Sequence, residues 1–129
     1  MNFPEDLKYS KNHEWVRVSG NIATIGLTDY AQDQLGEIVF IELPDEGEEF
    51  EKDDAFGVVE SVKSVNDVYA PVSGRIVELN DPAVDSPEVT NEDPYGEGWL
   101  VKLELSDPKE LSDLMSSKDY GAYIKEESE

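Results

Sequence analysis

The sequence predicts a mostly β domain with one short helix between strands and a helical tail at the C-terminus. Short apolar or alternating runs recur between turn residues along most of the chain, as the strands of a small β domain do. A helical pattern replaces them only after Pro108. At 129 residues the chain has the size of one domain, so we expect a single domain over 1–129. Its core is predicted at about 7–105 and its helical extension at about 108–127.

Local signals place the first elements. The runs HEWVRVSG and NIATIGLT flank the Gly20-Asn21 turn and predict a β-hairpin. TDYAQDQLG predicts a short helix near 28–36, because Thr28 or Asp29 can cap its start and Gly36 can end it.

The remaining runs complete the sheet prediction. EIVFIELP predicts a strand that ends at Pro44, and GRIVELN and GWLVKLEL predict two more strands. In the tail, Pro108 suits a first helical turn, and Leu111, Leu114 and Met115 are expected on one helical face.

The charge of the chain excludes several classes of partner. Ten basic residues against 31 acidic ones leave a net charge of −21. Nucleic acid phosphates and anionic membrane surfaces would be repelled, so we expect neither as a partner. The acidic run PDEGEEFEKDD lacks the spacing of a calcium-binding loop and is interpreted as a solvated face.

Cysteine content and segment composition set further bounds. There is no cysteine, so the sequence predicts no disulfide, no thiol nucleophile and no thiolate metal site. The first residues lack the apolar run of a signal peptide, and no apolar stretch is long enough to span a membrane. We therefore expect no metal centre and a cytoplasmic location.

The run GVVESVKSVNDVYAPVSG places one lysine, Lys63, among valines. Val58, Val62, Val65 and Tyr69 have helical spacing, whereas the abundance of β-branched residues favours strands. Taken together, these two local signals favour a strand over a helix but do not exclude the helix. A weak repeat, RVSGNIATI and PVSGRIVEL, suggests similar β units on both sides, with the lysine segment at a turn between them.

This run closely resembles the lipoyl-lysine region of the H proteins of the glycine cleavage system. HEWVRVSGNIATIGLTDYAQDQLGEIVFIELPDEG and NEDPYGEGWLVKLEL agree as well, so the resemblance covers about 7 to about 123. Glu60-Ser61-Val62-Lys63 differs from the Asp-Lys of lipoyl domains in 2-oxo acid dehydrogenases and from the Met-Lys-Met of biotin carriers. The resemblance implies a barrel-sandwich hybrid of two antiparallel sheets. It also implies that Lys63, at a hairpin tip, carries lipoate as an amide.

The resemblance implies a carrier without catalytic residues of its own, and therefore not an enzyme. A pyridoxal-phosphate glycine decarboxylase (P protein) would load an aminomethyl group onto the arm. A folate-dependent aminomethyltransferase (T protein) would remove it, and dihydrolipoyl dehydrogenase (L protein) would reoxidise the dithiol. A lipoate-attaching enzyme is the fourth implied partner.

The resemblance also implies a cleft that shelters the loaded arm. The matching positions are Glu14, Gln34 and Asp67, of which the two acids suit the ammonium of the cargo. Gln34 stands where the family commonly has histidine. His13, the only histidine, lacks a partner motif and is expected to be structural or solvated.

Three other functions use the same features and stay open at this point. A lipoyl carrier of another complex and a protein that relays lipoyl groups would both need the same lysine. A plain acidic binding module would need no modification at all.

Overall fold

The computed structural model describes residues 1–128 and consists mainly of short strands. The strands are β1 (Lys8–Tyr9), β2 (Glu14–Ser19), β3 (Ile22–Leu27), β4 (Ile38–Glu42), β5 (Glu49–Phe50), β6 (Ala55–Ser61), β7 (Val65–Tyr69), β8 (Gly74–Leu79) and β9 (Val101–Leu105). The helices are α1 (Asp29–Leu35), α2 (Asp81–Asp85), α3 (Glu88–Glu92) and α4 (Ser117–Ser128), with a 3-10 helix at Pro108–Asp113.

The strands form two antiparallel sheets, which confirms the predicted fold class. One sheet has six strands in the order β1-β2-β3-β9-β8-β5, and the other has three in the order β4-β6-β7. The predicted hairpin is β2–β3, with Ser19 paired to Ile22 across the turn. Gly20 takes a φ of 62° there, a conformation that glycine adopts without strain.

Helix α1 begins and ends where its capping residues predict. The Thr28 hydroxyl accepts a hydrogen bond from the Ala31 N–H at 3.1 Å, which satisfies a free amide of the first turn. At the other end Gly36 has a φ of 78° and donates its N–H to the Gln32 carbonyl at 3.0 Å. The helix follows β3 directly, so it lies at the end of the β2–β3 hairpin.

Two clusters of buried side chains cover opposite faces of β2. The main core lies between the sheets and takes residues from both. Its members from named strands include Val16, Ile25, Ile38, Ile41, Val59, Val68, Ile76, Val101 and Leu103. The second cluster consists of Leu7, Tyr9, Trp15, Tyr120 and Ile124. Because Tyr120 and Ile124 belong to α4, the C-terminal helix packs as part of the folded body.

The C-terminal extension differs from the predicted single helical pattern. The 3-10 helix ends at Asp113, and Met115 then pairs with Tyr9 through N–H···O bonds of 2.7 and 2.9 Å. This backbone pairing interrupts the helix, because the same amide cannot also continue a helical ladder. The prediction that Leu111, Leu114 and Met115 share one face is therefore wrong. The two leucines pack on the main core and Met115 packs on the second cluster.

We expect any larger residue at Gly26 to destabilise the fold, because Trp15 lies against this glycine. A Cβ at Gly26 would come within 2.7 Å of the Trp15 indole, which is fully buried and donates to the Pro94 carbonyl at 2.9 Å. We expect Gly26→Ala to lower the free energy of unfolding by about 1–3 kcal/mol, since the indole must shift in a packed core.

Gly121→Ala is the matched control for this urea-denaturation measurement. No atom lies within 4 Å of a Cβ built there, and the position is inside α4. Alanine should raise stability by about 0.5–1 kcal/mol. Equal effects of the two substitutions would contradict the packing argument.

Candidate functional site: the Lys63 turn and the adjacent cleft

Lys63 lies in the exposed turn between β6 and β7. Residues Val62 and Val65 on either side are 63% and 65% exposed, so the apolar run leaves the core at this point. The two strands pair from Ala55↔Tyr69 to Glu60↔Val65. The prediction that the segment around Lys63 is extended is confirmed, and the helical alternative is wrong.

The backbone of the turn is held by its own residues and by a neighbouring segment. The Ser61 N–H donates to the Ser64 carbonyl at 2.8 Å. The Ser61 hydroxyl accepts from the N–H groups of Lys63 and Ser64, each at 3.2 Å. The Val62 N–H donates to the Glu37 carbonyl at 3.0 Å. The backbone of Lys63 is thus fixed, whereas its side chain is exposed.

The lysine side chain passes over the C-terminal end of α1. A Cβ built on Gly36 would lie 3.1 Å from Lys63 Cε and 3.5 Å from its Nζ. Glycine at this position therefore leaves room for the lysine stem. Gly36 and Lys63 do not line the cleft described next, but Gln34 and Leu35, just before Gly36, do, so the lysine side chain lies beside the end of α1 that borders this cleft.

A cleft of about 490 Å³ brings together the three residues predicted to dock the arm. Glu14 comes from β2, Gln34 from α1 and Asp67 from β7. Glu14 is only 2% exposed and is the buried part of the lining, whereas Gln34 and Asp67 are exposed side chains. The cleft therefore has a buried carboxyl group together with an exposed amide and an exposed carboxylate.

Glu14 connects the two sheets. Its Oε1 accepts a hydrogen bond from the Ser10 hydroxyl at 2.5 Å, and its Oε2 accepts a long one from the Tyr69 N–H at 3.4 Å. Burial raises the pKa of Glu14 to about 7, against the opposing effect of these two hydrogen bonds. Near neutral pH this carboxyl group is consequently close to the midpoint of its titration.

A chain of polar contacts lies beside the cleft and was not predicted from the sequence. His13 Nδ1 lies 2.8 Å from the Tyr120 hydroxyl, which lies 2.7 Å from Thr28 Oγ1. His13 Nε2 lies 3.2 Å from Glu127 Oε2. Burial lowers the pKa of His13, although Glu127 opposes this shift. These contacts tie α4 to the capping residue of α1 and give His13 a structural role.

An exposed lysine on an anchored hairpin of a two-sheet β domain is the arrangement that a carrier of a covalently attached group needs. A family model described as "Glycine cleavage H-protein" matches residues 7–127 of the chain. The chain belongs to the glycine cleavage H-protein family. Its members are lipoyl carriers of the glycine cleavage system, which bear lipoate on a lysine and are not themselves catalysts.

Individual relatives support this assignment over the full length. The chain is 56% identical over 126 residues to a glycine cleavage system H protein of Carboxydothermus hydrogenoformans, covering 98% of this chain and 97% of the relative. It is 58% identical over 125 residues to that of Symbiobacterium thermophilum, covering 97% and 98%. The crystal structure of a glycine cleavage system H protein from Mycobacterium marinum is similar with a TM-score of 0.89 and 35% identity, covering 95% of this chain and 99% of that one.

The raised pKa of Glu14 predicts a pH-dependent effect of Glu14→Gln on stability. The unfolded chain releases this proton near pH 4.5 and the folded protein near pH 7, so wild-type stability is lost as pH rises between these values. Glutamine has no proton to release, so the Glu14→Gln variant does not lose this stability as pH rises. Its advantage in free energy of unfolding should grow over that interval and level off at about 3 kcal/mol.

Denaturation of wild type and Glu14→Gln at several pH values from 5 to 8 measures this difference. An advantage that is constant over the range would mean that Glu14 does not titrate with the shifted pKa.

Proposed function

We propose that Lys63 is the attachment site, with lipoate bound as an amide on Nζ, and that Glu14, Gln34 and Asp67 dock the loaded arm. One observation carries the proposal: the exposed lysine of an anchored turn runs beside a cleft that contains a buried carboxyl group. When bound, lipoate supplies a disulfide that accepts the aminomethyl group of glycine and ends as a dithiol. The chain itself presents, orients and shelters the arm.

The turn supports the attachment step. An attaching enzyme needs a lysine whose nitrogen is accessible and whose backbone is held in a constant position. The Ser61 hydroxyl and the Glu37 carbonyl hold the backbone at residues 62–64, and the side chain of Lys63 is exposed. Sites on rigid elements are positioned more precisely than those on loose loops.

The cleft suits a cationic cargo. The aminomethyl group ends in an ammonium, and Glu14 in its ionised form can accept a charge-assisted hydrogen bond from it in a water-poor environment. Asp67 and the amide oxygen of Gln34 provide further acceptors on the same cleft. Closing the arm into this cleft would keep water away from the cargo between transfers.

We further propose the specific partners that this role requires. These are glycine decarboxylase, which loads the arm; aminomethyltransferase, which unloads it; dihydrolipoyl dehydrogenase, which reoxidises it; and a lipoate-attaching enzyme. No helix within residues 1–128 has the length and apolar character needed to cross a bilayer. The cytoplasmic location and the single-domain boundaries remain predictions from the sequence.

Lys63→Arg tests the attachment site. Arginine keeps the positive charge, but its guanidinium stays protonated and does not become acylated in the same way. We expect the variant to fold and, after expression with a lipoate ligase and lipoate, to show no lipoyl mass by intact mass spectrometry. Lys8→Arg, at another exposed lysine, should be lipoylated as wild type is. Lipoyl retained in Lys63→Arg would contradict the assignment.

Glu14→Ala tests the docking role. Loss of a charge-assisted hydrogen bond in a buried site should expose the loaded arm several-fold to about tenfold more often. Ammonia should therefore be released from the loaded protein at pH 8 faster by that factor. Asp67→Asn should have a smaller effect, because its amide oxygen still accepts a hydrogen bond.

Glu42→Ala is the matched control, since Glu42 is an exposed acid of β4 that does not line the cleft. Equal rates of ammonia release from wild type and Glu14→Ala would show that the cargo is protected elsewhere or not at all.

A further inference from the structure

Glu14 lies between two cavities, and this arrangement gives its two carboxyl oxygens different surroundings. Besides the 490 Å³ cleft, a second cavity of about 330 Å³ is lined by Glu14. Ser10 lines only this second cavity, whereas Tyr69 lines only the cleft. Oε1 is bonded to Ser10 and Oε2 to Tyr69. Ser10 thus binds Oε1 from the side of the second cavity, whereas Oε2 lies on the side of the cleft.

Ser10 is joined to Glu14 by three hydrogen bonds. Its N–H donates to the Glu14 carbonyl at 2.9 Å, and its hydroxyl oxygen accepts from the Glu14 N–H at 3.1 Å. The same hydroxyl donates to Oε1 at 2.5 Å. A serine hydroxyl has one proton, and accepting from the amide directs that proton away from the backbone and toward the carboxylate. With Ser10 only 9% exposed, water competes little for this proton.

We propose that Ser10 is a positioning residue for docking of the cargo. Its hydroxyl donates a hydrogen bond to Oε1 and stabilises the carboxylate, so that Oε2 faces the cleft as an ionised acceptor. This inference rests on the proposed docking role of Glu14. It assigns Ser10 no contact with the arm. A protonated Glu14 would carry no charge and would be a much poorer partner for an ammonium ion.

The balance of forces on Glu14 supports this role. Burial is the largest influence and raises the pKa of Glu14 to about 7, and the Ser10 hydrogen bond is the largest influence that opposes it. The Tyr69 N–H opposes it less, and the charge of Asp53 adds to the rise. Loss of the Ser10 hydrogen bond would therefore raise the pKa of Glu14 further and lower its ionised fraction at neutral pH.

Other ionisable groups face Glu14 from both cavities. Those with a formal charge or an imidazole that line the cleft are Lys11, His13, Asp67 and Glu127, and those that line the second cavity are Lys11, Lys52, Asp53 and Asp113. Lys52 is paired with Asp113 at 3.1 Å, and His13 with Glu127. None of these is changed by a substitution at Ser10, so a shift in the titration of Glu14 reports on the hydroxyl.

The first experiment measures Glu14 directly in the protein without lipoate. The side-chain carboxyl carbon of Glu14 is followed by NMR from pH 4 to 10, with Glu14→Gln used to assign the signal. We expect Ser10→Ala to raise the titration midpoint by about one to two pH units, the effect of losing one hydrogen bond to a charged group. Ser10→Thr, which keeps a hydroxyl, should restore the wild-type midpoint.

Ser10→Val provides a second variant that lacks the hydroxyl and has nearly the shape of Ser10→Thr, in case alanine impairs folding. It should shift the midpoint in the same direction. An unchanged midpoint in folded Ser10→Ala or Ser10→Val would overturn the proposal, because a purely structural serine would affect stability but not this titration.

The second experiment separates this proposal from the docking role on which it rests. On the lipoylated and loaded protein at pH 7, Ser10→Ala should release ammonia about five-fold faster, since the ionised fraction of Glu14 falls by that factor for a one-unit shift. The difference should disappear toward pH 10. If Glu14→Ala accelerates release and Ser10→Ala does not, Ser10 has no positioning role. If neither accelerates release, the docking role itself is wrong.

Discussion

The first half of β2 and the end of β3 that pairs with it are buried on both faces, and the position of the cleft depends on this double coverage. One face packs into the core between the sheets through Val16 and Ile25. The other face carries Trp15, which lies against Gly26 and under the cluster that includes Tyr9 and Tyr120. A strand buried on both faces has no freedom to shift its register without moving both clusters. Glu14, at the start of β2, is therefore fixed relative to both sheets and to α4.

Local signals in the sequence were sufficient for several elements. The Gly20-Asn21 turn marked the first hairpin, and Thr28 and Gly36 marked the ends of α1. Lys63, the proposed attachment site, was by contrast singled out by the resemblance of its segment to a family, because helical spacing and β-branched residues gave opposing indications for that segment. The pairing of strands resolved that conflict, since β6 and β7 satisfy each other's backbone groups.

Other features depend on contacts between residues far apart in sequence and could not be predicted from pattern. Glu14 is one of 31 acids, and alternation along β2 would have placed it opposite in exposure to Trp15. Both are buried because different elements cover the two faces. The structure of the tail could not be predicted for the same reason, because Met115 pairs with Tyr9, which is distant in sequence, and does not continue a helix. In β4, a bulge between Ile38 and Phe40 turns two apolar neighbours outward, which no periodicity indicates.

The anchored turn at 62–64 has a consequence for the strength with which the cleft must bind. Because the Lys63 backbone is fixed, an arm attached to Lys63 as we propose would move about a constant origin near the cleft. A tether of this kind gives the cargo an effective concentration in the millimolar range at the cleft. A cleft with only millimolar intrinsic affinity would then be occupied about half of the time. Such weak retention suits a shuttle, since each partner has to draw the cargo out without working against a tight complex.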